Sequence, residues 1–166
     1  MTQWDSSWPE LAGEDERHHL FSYLENRFGI PENLFYNDLL FKRKGSWWLL
    51  KSSSHIMCAS RLKVSMIGLR AFNKVGSFIK PSTRMIQIYG YVATKAGIEI
   101  DEQGLQKLIH GVPLQTDLEI DNGYVIIKLT GRTLGLGLLI NGLVRSQISH
   151  KELRLPLKKI SSGPVR

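Results

Sequence analysis

The sequence predicts an α+β protein in which a small α/β module is followed by a partly open β-barrel with flanking helices. Two observations carry this prediction. A helical pattern near the N-terminus leads into short strand-like runs, and residues 123–146 form apolar runs broken by glycine turns. With 166 residues, 42% of them hydrophobic, the chain can bury a core for one domain or two small ones.

The C-terminal half is organised around three predicted antiparallel strands. Tyr124 to Leu129 is a β-branched apolar run, Thr130-Gly131-Arg132 is a turn, and Thr133 to Ile140 is a second apolar run. Asn141-Gly142 then predicts a type I′ turn into a third strand, because that turn requires positive φ at both central residues. A helix, a short strand and another helix precede these strands, which is the order that suggests a barrel with helices at its flank.

The run Gly135-Leu136-Gly137 has two interpretations. A nucleotide-binding loop would require a third glycine and a following helix whose N-terminus faces phosphate. More strand and an Asn-Gly turn follow instead. The favoured interpretation is therefore a strand that bends, or that lets another backbone come close, where side chains are missing.

The N-terminal half begins with a predicted helix from Glu14 to Arg27, which Gly29-Ile30-Pro31 brings to an end. Leu39 to Phe41 and Ser46 to Lys51 then flank Lys42-Arg43-Lys44-Gly45 as a hairpin with a basic tip. The hairpin contains Trp47-Trp48, and adjacent strand residues face opposite sides. One ring is expected in the core and the other on an exposed or interdomain face, where base stacking is the alternative to packing.

The domain boundary is predicted near Lys80. Val64 to Phe72 is expected to be the strand that closes the first module, and Asn73 to Lys80 with Pro81-Ser82-Thr83 is rich in turn formers. The expected organisation is a flexible acidic tail over 1–13, an α/β module over 14–80, the barrel domain over 81–157 and a flexible tail over 158–166.

The secondary structure at the start of the second domain is ambiguous from the sequence. Met85 to Ala93 alternates at first and could begin a helix near Tyr89. Gly97-Ile98-Glu99-Ile100 is expected to be the end of that helix followed by a short strand. Asp101 to His110 is predicted to be an amphipathic helix capped by Asp101. Val112-Pro113-Leu114 then starts an extended segment.

The charge distribution indicates a polyanion partner. The chain has a formal net charge of +7, but residues 17–166 carry 22 basic and 10 acidic side chains, a net charge of +12. A surface of this kind attracts nucleic acid first and anionic membrane second, and an inert basic surface is the alternative. No apolar run is long enough to span a membrane and the N-terminus does not resemble a signal peptide, so a cytoplasmic protein is expected.

The number and positions of the Cys, His, Asp and Glu residues argue against a disulfide and against a metal site. Cys58 is the single cysteine, so an internal disulfide and a cysteine-rich zinc site are excluded, and its expected role is that of a small buried hydrophobe. His18-His19 would point in different directions on a helix, which makes metal binding unfavourable. Asp117, Glu119 and Asp121 alternate along an extended segment and are interpreted as an exposed strand face. No metal site and no cofactor are therefore predicted.

Gly123-Tyr124-Val125 is followed by Gly131, by Gly135-Leu136-Gly137 and by Gly142-Leu143-Val144-Arg145. This spacing, after a helix, a short strand and another helix, resembles the PUA-type RNA-binding domain, named for pseudouridine synthases and archaeosine transglycosylases. More narrowly, these motifs are similar to the C-terminal PUA-like extension of Sun-type RNA cytosine-5 methyltransferases, and the two-part layout resembles the Nip-type ribosome-assembly proteins. The similarity runs over roughly Leu24 to Arg154. It is carried by Arg27-Phe28-Gly29-Ile30-Pro31, Gly68-Leu69-Arg70, Gly123-Tyr124-Val125, Gly131, Gly135-Leu136-Gly137, Gly142-Leu143-Val144-Arg145 and Glu152-Leu153-Arg154.

The resemblance covers only the RNA-reading part of those methyltransferases. They use a doubly wound cofactor domain and two catalytic cysteines, whereas this chain has no glycine-rich strand-to-helix turn in a βαβ context and Cys58 is alone. The resemblance therefore implies a non-catalytic protein that binds ribosomal or transfer RNA in RNA modification, rRNA processing or ribosome assembly. An RNA-modifying enzyme acting in trans is a further implied partner.

The resemblance also implies where RNA binds. In PUA domains the helix-to-strand loop and a late strand face the RNA, which corresponds here to Thr94 to Gly97 and Leu143 to Ser146. Lys95 and Arg145 are the leading candidates, and Gly97 would admit a close sugar-phosphate. The supporting candidates are Lys80, Arg84, Arg132, Lys151 and Arg154, each of which could instead be a solvated surface charge.

The alternative function is a protein-interaction subunit of an RNA-modification complex. In that case Trp4, Trp8 and the acidic N-terminus would dock a partner, and the basic face would be incidental.

Overall fold

The computed structural model describes residues 8–64 and 66–154. The chain divides into two compact units. The first comprises Met1–Asn26 and Pro31–Met85, and the second comprises Arg27–Ile30 and Ile86–Arg166. The tail expected over 158–166 and the first seven residues of the tail expected over 1–13 lie outside the described residues.

The first unit is an antiparallel five-stranded sheet in the order β1-β2-β3-β4-β5. Helix α1 (Glu14–Phe28) follows β1, a 3₁₀ turn (Glu32–Phe35) precedes β2, and the short helix α2 (Ile56–Ala59) lies between β3 and β4. The strands are β1 (Glu10–Leu11), β2 (Asp38–Arg43), β3 (Ser46–Lys51), β4 (Leu69–Val75) and β5 (Phe78–Pro81).

Both faces of this sheet are partly covered. On one face Phe21 of α1 stacks on Phe35, with ring centroids 4.5 Å apart, and meets Phe72 of β4 edge-on at 6.0 Å. On the other face Trp8, Phe41, Ile56 and Ile67 form a buried cluster, against which Leu39, Trp48, Leu50, Ala59 and Val64 pack. We call this second side the Trp8 face.

The structure confirms the first helix and the first hairpin, whose turn is Lys44-Gly45 with φ of 46° and 71°. Trp47 is buried on the α1 side, as one of the two tryptophans was expected to be. Trp48 packs against the Trp8 cluster, and the guanidinium of Arg70 lies 4.9 Å from the centre of its ring. Both tryptophans are thus part of the packing of the first unit.

Other expectations for the first unit were wrong. The stretch 73–80, interpreted as a boundary, is a hairpin in which Val75 pairs with Phe78. The strand expected from Val64 begins only at Leu69, and α2 was not predicted. Cys58 is exposed on α2, because this single-turn helix buries Ile56 and leaves Met57 and Cys58 on its outer side.

Residues 8–13 differ from the flexible tail expected there. Leu11 of β1 pairs with Phe41 of β2, and Trp8 is 8% exposed, with its Nε1 donating to the carbonyl of Leu62 at 3.2 Å. Burial of a large indole and the backbone pairing hold this segment on the first unit.

The second unit is built on a sheet in the order β6-β8-β9-β10-β7, curled into a half-barrel. β6 runs parallel to β8, and the other pairs are antiparallel. Its strands are β6 (Gly97–Ile100), β7 (Leu114–Gln115), β8 (Gly123–Leu129), β9 (Arg132–Ile140) and β10 (Leu143–Ser146). Helix α3 (Thr83–Tyr89), a 3₁₀ turn (Gly90–Val92) and helix α4 (Glu102–Ile109) accompany them, and residues 150–154 are helical.

The structure confirms the three predicted C-terminal strands and their turns. Thr130-Gly131 and Asn141-Gly142 both have positive φ at the two central positions, as type I′ turns require. The pairing between β8 and β9 shifts by one residue beside Gly135, so β9 carries a bulge where the glycines predicted a bend. No nucleotide-binding loop forms in this run, because it lies within a continuous strand.

Of the helices α3 and α4, α4 was predicted correctly and the start of α3 was not. Asp101 caps α4 as expected, its Oδ1 accepting the backbone N–H of Gly104 at 2.8 Å. Helix α3 begins at Thr83, not near Tyr89, because the Ser82 hydroxyl accepts the N–H of Met85 in its first turn. Among residues 8–64 and 66–154, no helix is long and apolar enough to cross a bilayer.

Candidate nucleic-acid interface

One end of the half-barrel presents a row of three directly opposed residues. Tyr124 on β8 faces Leu138 on β9, which faces Arg145 on β10. Directly opposed residues of an antiparallel ladder lie on the same side of the sheet. We call these three residues the Tyr124 row. Arg145 is its exposed member, since the inward alternation of β10 buries Val144 and leaves its neighbours outside.

Lys95 and Gly97 lie at the same end of the sheet. Gly97 on β6 pairs with Ile126 on the parallel strand β8. Lys95 lies two residues before Gly97 and Tyr124 lies two residues before Ile126, so both are at the same end of the sheet. The backbone N–H groups of Thr94 and Lys95 both donate to the carbonyl of Phe28 at 3.0 Å, which fixes this loop. The side chain of Lys95 is exposed. Three strand spacings separate β6 from β10, a distance of roughly 14 Å along a flat sheet.

Gly97 has open space around it. A Cβ built on its backbone meets no other heavy atom within 4 Å. The strand backbone at Gly97 is therefore open on this side, and the close approach of a sugar-phosphate to it stays a prediction.

Arg27 stabilises this end of the sheet and was not predicted to do so. Its Nε donates to the carbonyl of Tyr124 at 2.8 Å, and its Nη1 donates to the carbonyl of Asp121 at 2.9 Å. The guanidinium also lies against Gly123, where a Cβ would come within 3.2 Å of Nη2. In the sequence Arg27 is only an arginine at a helix end, and its partners lie 94 and 97 residues further along the chain.

The phenol of Tyr124 is neutral and lies between two basic residues, Lys95 and Arg145. Burial raises the pKa of Tyr124 above its usual value of 10.0. At neutral pH the row therefore carries positive charge from Arg145, with Lys95 beside it, and a phenol that can donate a hydrogen bond.

Arg132 lies at the opposite end of the same sheet. It pairs with Leu129, five residues along β8 from Tyr124, which corresponds to roughly 17 Å. The neighbouring Gly131 N–H donates to the carboxylate of Glu99 at 2.6 Å, so an acid lies beside this turn. The structure does not bring Arg132 together with Lys95 and Arg145.

The remaining candidates are spread over both units. Lys80 on β5 and the exposed Arg84 on α3 belong to the first unit. Partial burial lowers the pKa of Lys80 below 10.5. Lys151 and Arg154 are exposed in the helical residues 150–154, on either side of the buried Leu153.

Each unit also contains an open cleft with acidic lining residues. A cleft of about 520 Å³ in the first unit is lined by Glu14, Asp15, Glu32, Asp38 and Tyr36 together with Arg17 and His18. A cleft of about 700 Å³ in the second is lined by Glu99, Asp101 and Lys107 among others. Carboxylates repel phosphate, so neither cleft suits a nucleic-acid backbone. Across the described part of the chain, no three His, Cys, Asp or Glu side chains are grouped as a metal site.

The fold is similar to that of a solved PUA-domain protein. A conserved PUA-domain protein from Thermoplasma acidophilum matches with a TM-score of 0.50 and 12% identity, over 88% of this chain and 84% of that one. A hypothetical protein from the hyperthermophilic archaeon Pyrococcus horikoshii matches with a TM-score of 0.49 and 14% identity, over 89% and 86%. No protein-family model and no curated protein match the sequence. The chain thus has an α+β, PUA-like fold.

Proposed function

We propose that this protein binds RNA without catalysing a reaction on it, and that the second unit holds structured ribosomal or transfer RNA. The observation that carries the proposal is the placement of exposed Lys95 and Arg145 at one end of a PUA-like half-barrel, on either side of Tyr124. Lysine and arginine neutralise phosphates, and arginine also stacks on bases or donates to them in a forked pair.

The same surface favours an irregular RNA over a regular duplex. The major groove of an A-form helix is too narrow for side chains to read, whereas loops and junctions expose bases and phosphates together. A role in RNA modification or ribosome assembly, with an enzyme acting in trans, follows from the resemblance to the Sun-type and Nip-type proteins.

The test is a salt titration of RNA binding. The purified protein is mixed with labelled ribosomal and transfer RNA fragments, and the Lys95→Ala and Arg145→Ala variants are measured beside it. Each variant should weaken binding and reduce the slope of log K against log salt by about 0.7 to 0.9, because one phosphate contact is lost.

Arg132→Ala is the matched control, since it removes an exposed arginine at the far end of the same sheet. It should leave the slope unchanged. If the wild-type protein fails to bind at low salt, the proposal is wrong, and the protein-interaction alternative would be tested next by a pull-down.

A further inference from the structure

The Trp8 face of the first sheet ends in a row of polar side chains. Arg43 on β2 opposes Ser46 on β3, Ser46 opposes Asn73 on β4, and Asn73 opposes Lys80 on β5. The hydroxyl of Ser46 donates to Oδ1 of Asn73 at 3.2 Å. That bond fixes the amide, so its NH₂ group is turned toward other acceptors.

An exposed apolar pair lies directly beyond this row. Val75 and Phe78 oppose each other at the end of the β4–β5 hairpin, on the side of the sheet that carries Asn73 and Lys80. Phe78 is 72% exposed and Val75 is 50% exposed. We call Arg43, Ser46, Asn73, Lys80, Val75 and Phe78 together the β4–β5 surface.

The rest of the Trp8 face is covered, and this end is not. The cluster around Trp8 packs over Phe41, Trp48 and Leu50, further along the same strands. Within residues 8–64 and 66–154, the buried cluster does not extend over Val75 or Phe78. Val75 and Phe78 together leave a contiguous apolar patch in solvent, and it is contiguous patches of this kind, rather than single exposed rings, that mark contact sites.

The charge around the β4–β5 surface identifies the kind of partner. No Asp or Glu occurs between Leu39 and Ile98. After Asp38, every charged side chain on strands β2 to β5 is therefore basic. Exposed Lys44 and Lys74 lie at the ends of the two hairpins. The acids of this unit lie instead on β1, on α1 and in the acidic cleft. A polyanion fits this surface, whereas an apolar protein partner would meet a ring of cations.

We infer that the β4–β5 surface is a second nucleic-acid site, which binds a single-stranded RNA segment. Phe78 stacks on an unpaired base, Arg43 and Lys80 contact the flanking phosphates, and the amide of Asn73 donates to a base edge or a ribose. A single strand is required because a phenylalanine ring can stack only on a base that is not already in a duplex. The site goes beyond the proposed function, and it shares with it only the assumption that the ligand is RNA.

The test uses the full-length protein and a fluorescein-labelled 12-nucleotide oligouridine in fluorescence anisotropy. Phe78→Ala should weaken binding by about tenfold with an unchanged salt slope, because stacking carries no charge. Lys80→Gln should weaken it and lower the slope by about 0.7. Phe78→Trp, which restores a stacking ring, should bind at least as tightly as the wild type.

Tyr36→Ala is the matched control for loss of an exposed ring. Tyr36 is 71% exposed in the same unit, but it lines the acidic cleft, so its removal should leave the affinity unchanged. Photochemical cross-linking of the bound oligouridine should mark the peptide that contains Phe78. Equal thermal melting of Phe78→Ala and wild type would show that folding is intact.

The two RNA proposals fail separately. If Phe78→Ala binds within twofold of wild type while Lys95→Ala and Arg145→Ala are impaired, the β4–β5 surface is not an RNA site and the proposed function stands. If Phe78→Ala is impaired and the two second-unit variants are not, the inference stands and the Tyr124 row is not the site. Capture of a protein through Phe78 with no change in RNA affinity would overturn the inference.

Discussion

Gly137 shows how a single missing side chain shapes the half-barrel. A Cβ at this position would lie 2.5 Å from Cγ1 of Val144 and 3.0 Å from Cδ1 of Ile127. Both neighbours belong to the core, with Val144 and Ile127 fully buried. The glycine therefore lets the neighbouring side chains fill the space that a side chain of β9 would occupy.

We expect Gly137→Ala to destabilise the protein by about 1–3 kcal/mol, because overpacking a tight core forces side chains off their rotamers. Urea unfolding followed by circular dichroism measures the change. Gly97→Ala is the control, since its Cβ meets open space and should change the free energy of unfolding by less than about 0.5 kcal/mol. Equal stabilities of the two variants would contradict the packing argument.

Residues whose role depends on distant partners were the ones that sequence analysis missed. The turn chemistry of Asn141-Gly142 is local and was predicted correctly, because positive φ at adjacent positions leaves few alternatives. Arg27 bonds to carbonyls of Asp121 and Tyr124, nearly a hundred residues away, and no local pattern encodes that pairing. The exposure of Cys58 likewise depends on what packs against α2.

At the scale of the element, the hairpins that close at Lys44-Gly45, Thr130-Gly131 and Asn141-Gly142 were predicted, and the hairpin that closes at Gly76-Ser77 was not. Lys44-Gly45 and Thr130-Gly131 were predicted as turns, and both have positive φ at the two central residues. Gly76-Ser77 was interpreted as part of the domain boundary, because the stretch from Asn73 to Thr83 is rich in turn formers and contains Pro81. Pro81 instead ends the edge strand β5, a position where a missing N–H costs no ladder bond.

The segment that contains β1 is the element whose character differs most from expectation, and its contribution can be measured. Trp8 meets Phe41 edge-on, with ring centroids 5.9 Å apart, and bonds to the Leu62 carbonyl. We expect Trp8→Ala to cost about 3 kcal/mol, because a buried aromatic and its hydrogen bond are lost together.

The measurement is urea unfolding followed by the fluorescence of the remaining tryptophans. Leu11→Ala, on the same segment but 40% exposed, should cost about 0.5 kcal/mol or less. A Trp8→Ala variant as stable as Leu11→Ala would mean that the segment is only loosely held.

At the scale of the whole molecule, charge is distributed in a way that composition alone could only suggest. The net excess of basic residues predicted a polyanion partner, and the absence of acids between Leu39 and Ile98 concentrates that excess on β2 to β5 and the loop before β6. Sequence analysis could name Lys80, Lys95 and Arg145 because charge is visible residue by residue. It could not group them, because grouping depends on strand register across each sheet.

The two proposed RNA surfaces together lead to a prediction that neither makes alone. A six-nucleotide oligouridine can engage one surface, whereas a longer strand can engage both, so the second contact becomes intramolecular and gains an effective concentration. We expect the affinity for a 40-nucleotide oligouridine to exceed that for the six-nucleotide one by about 100-fold, measured by anisotropy at fixed salt.

Combining Phe78→Ala with Arg145→Ala should abolish most of this gain, whereas either change alone should remove part of it. The control is Tyr36→Ala with Arg132→Ala, which removes an exposed aromatic ring from the acidic cleft and an exposed arginine from the far end of the second sheet. A long strand also offers more binding registers, and that statistical factor raises affinity only in proportion to the number of registers. A gain no larger than this factor, and equal in all variants, would mean that a single surface holds the RNA.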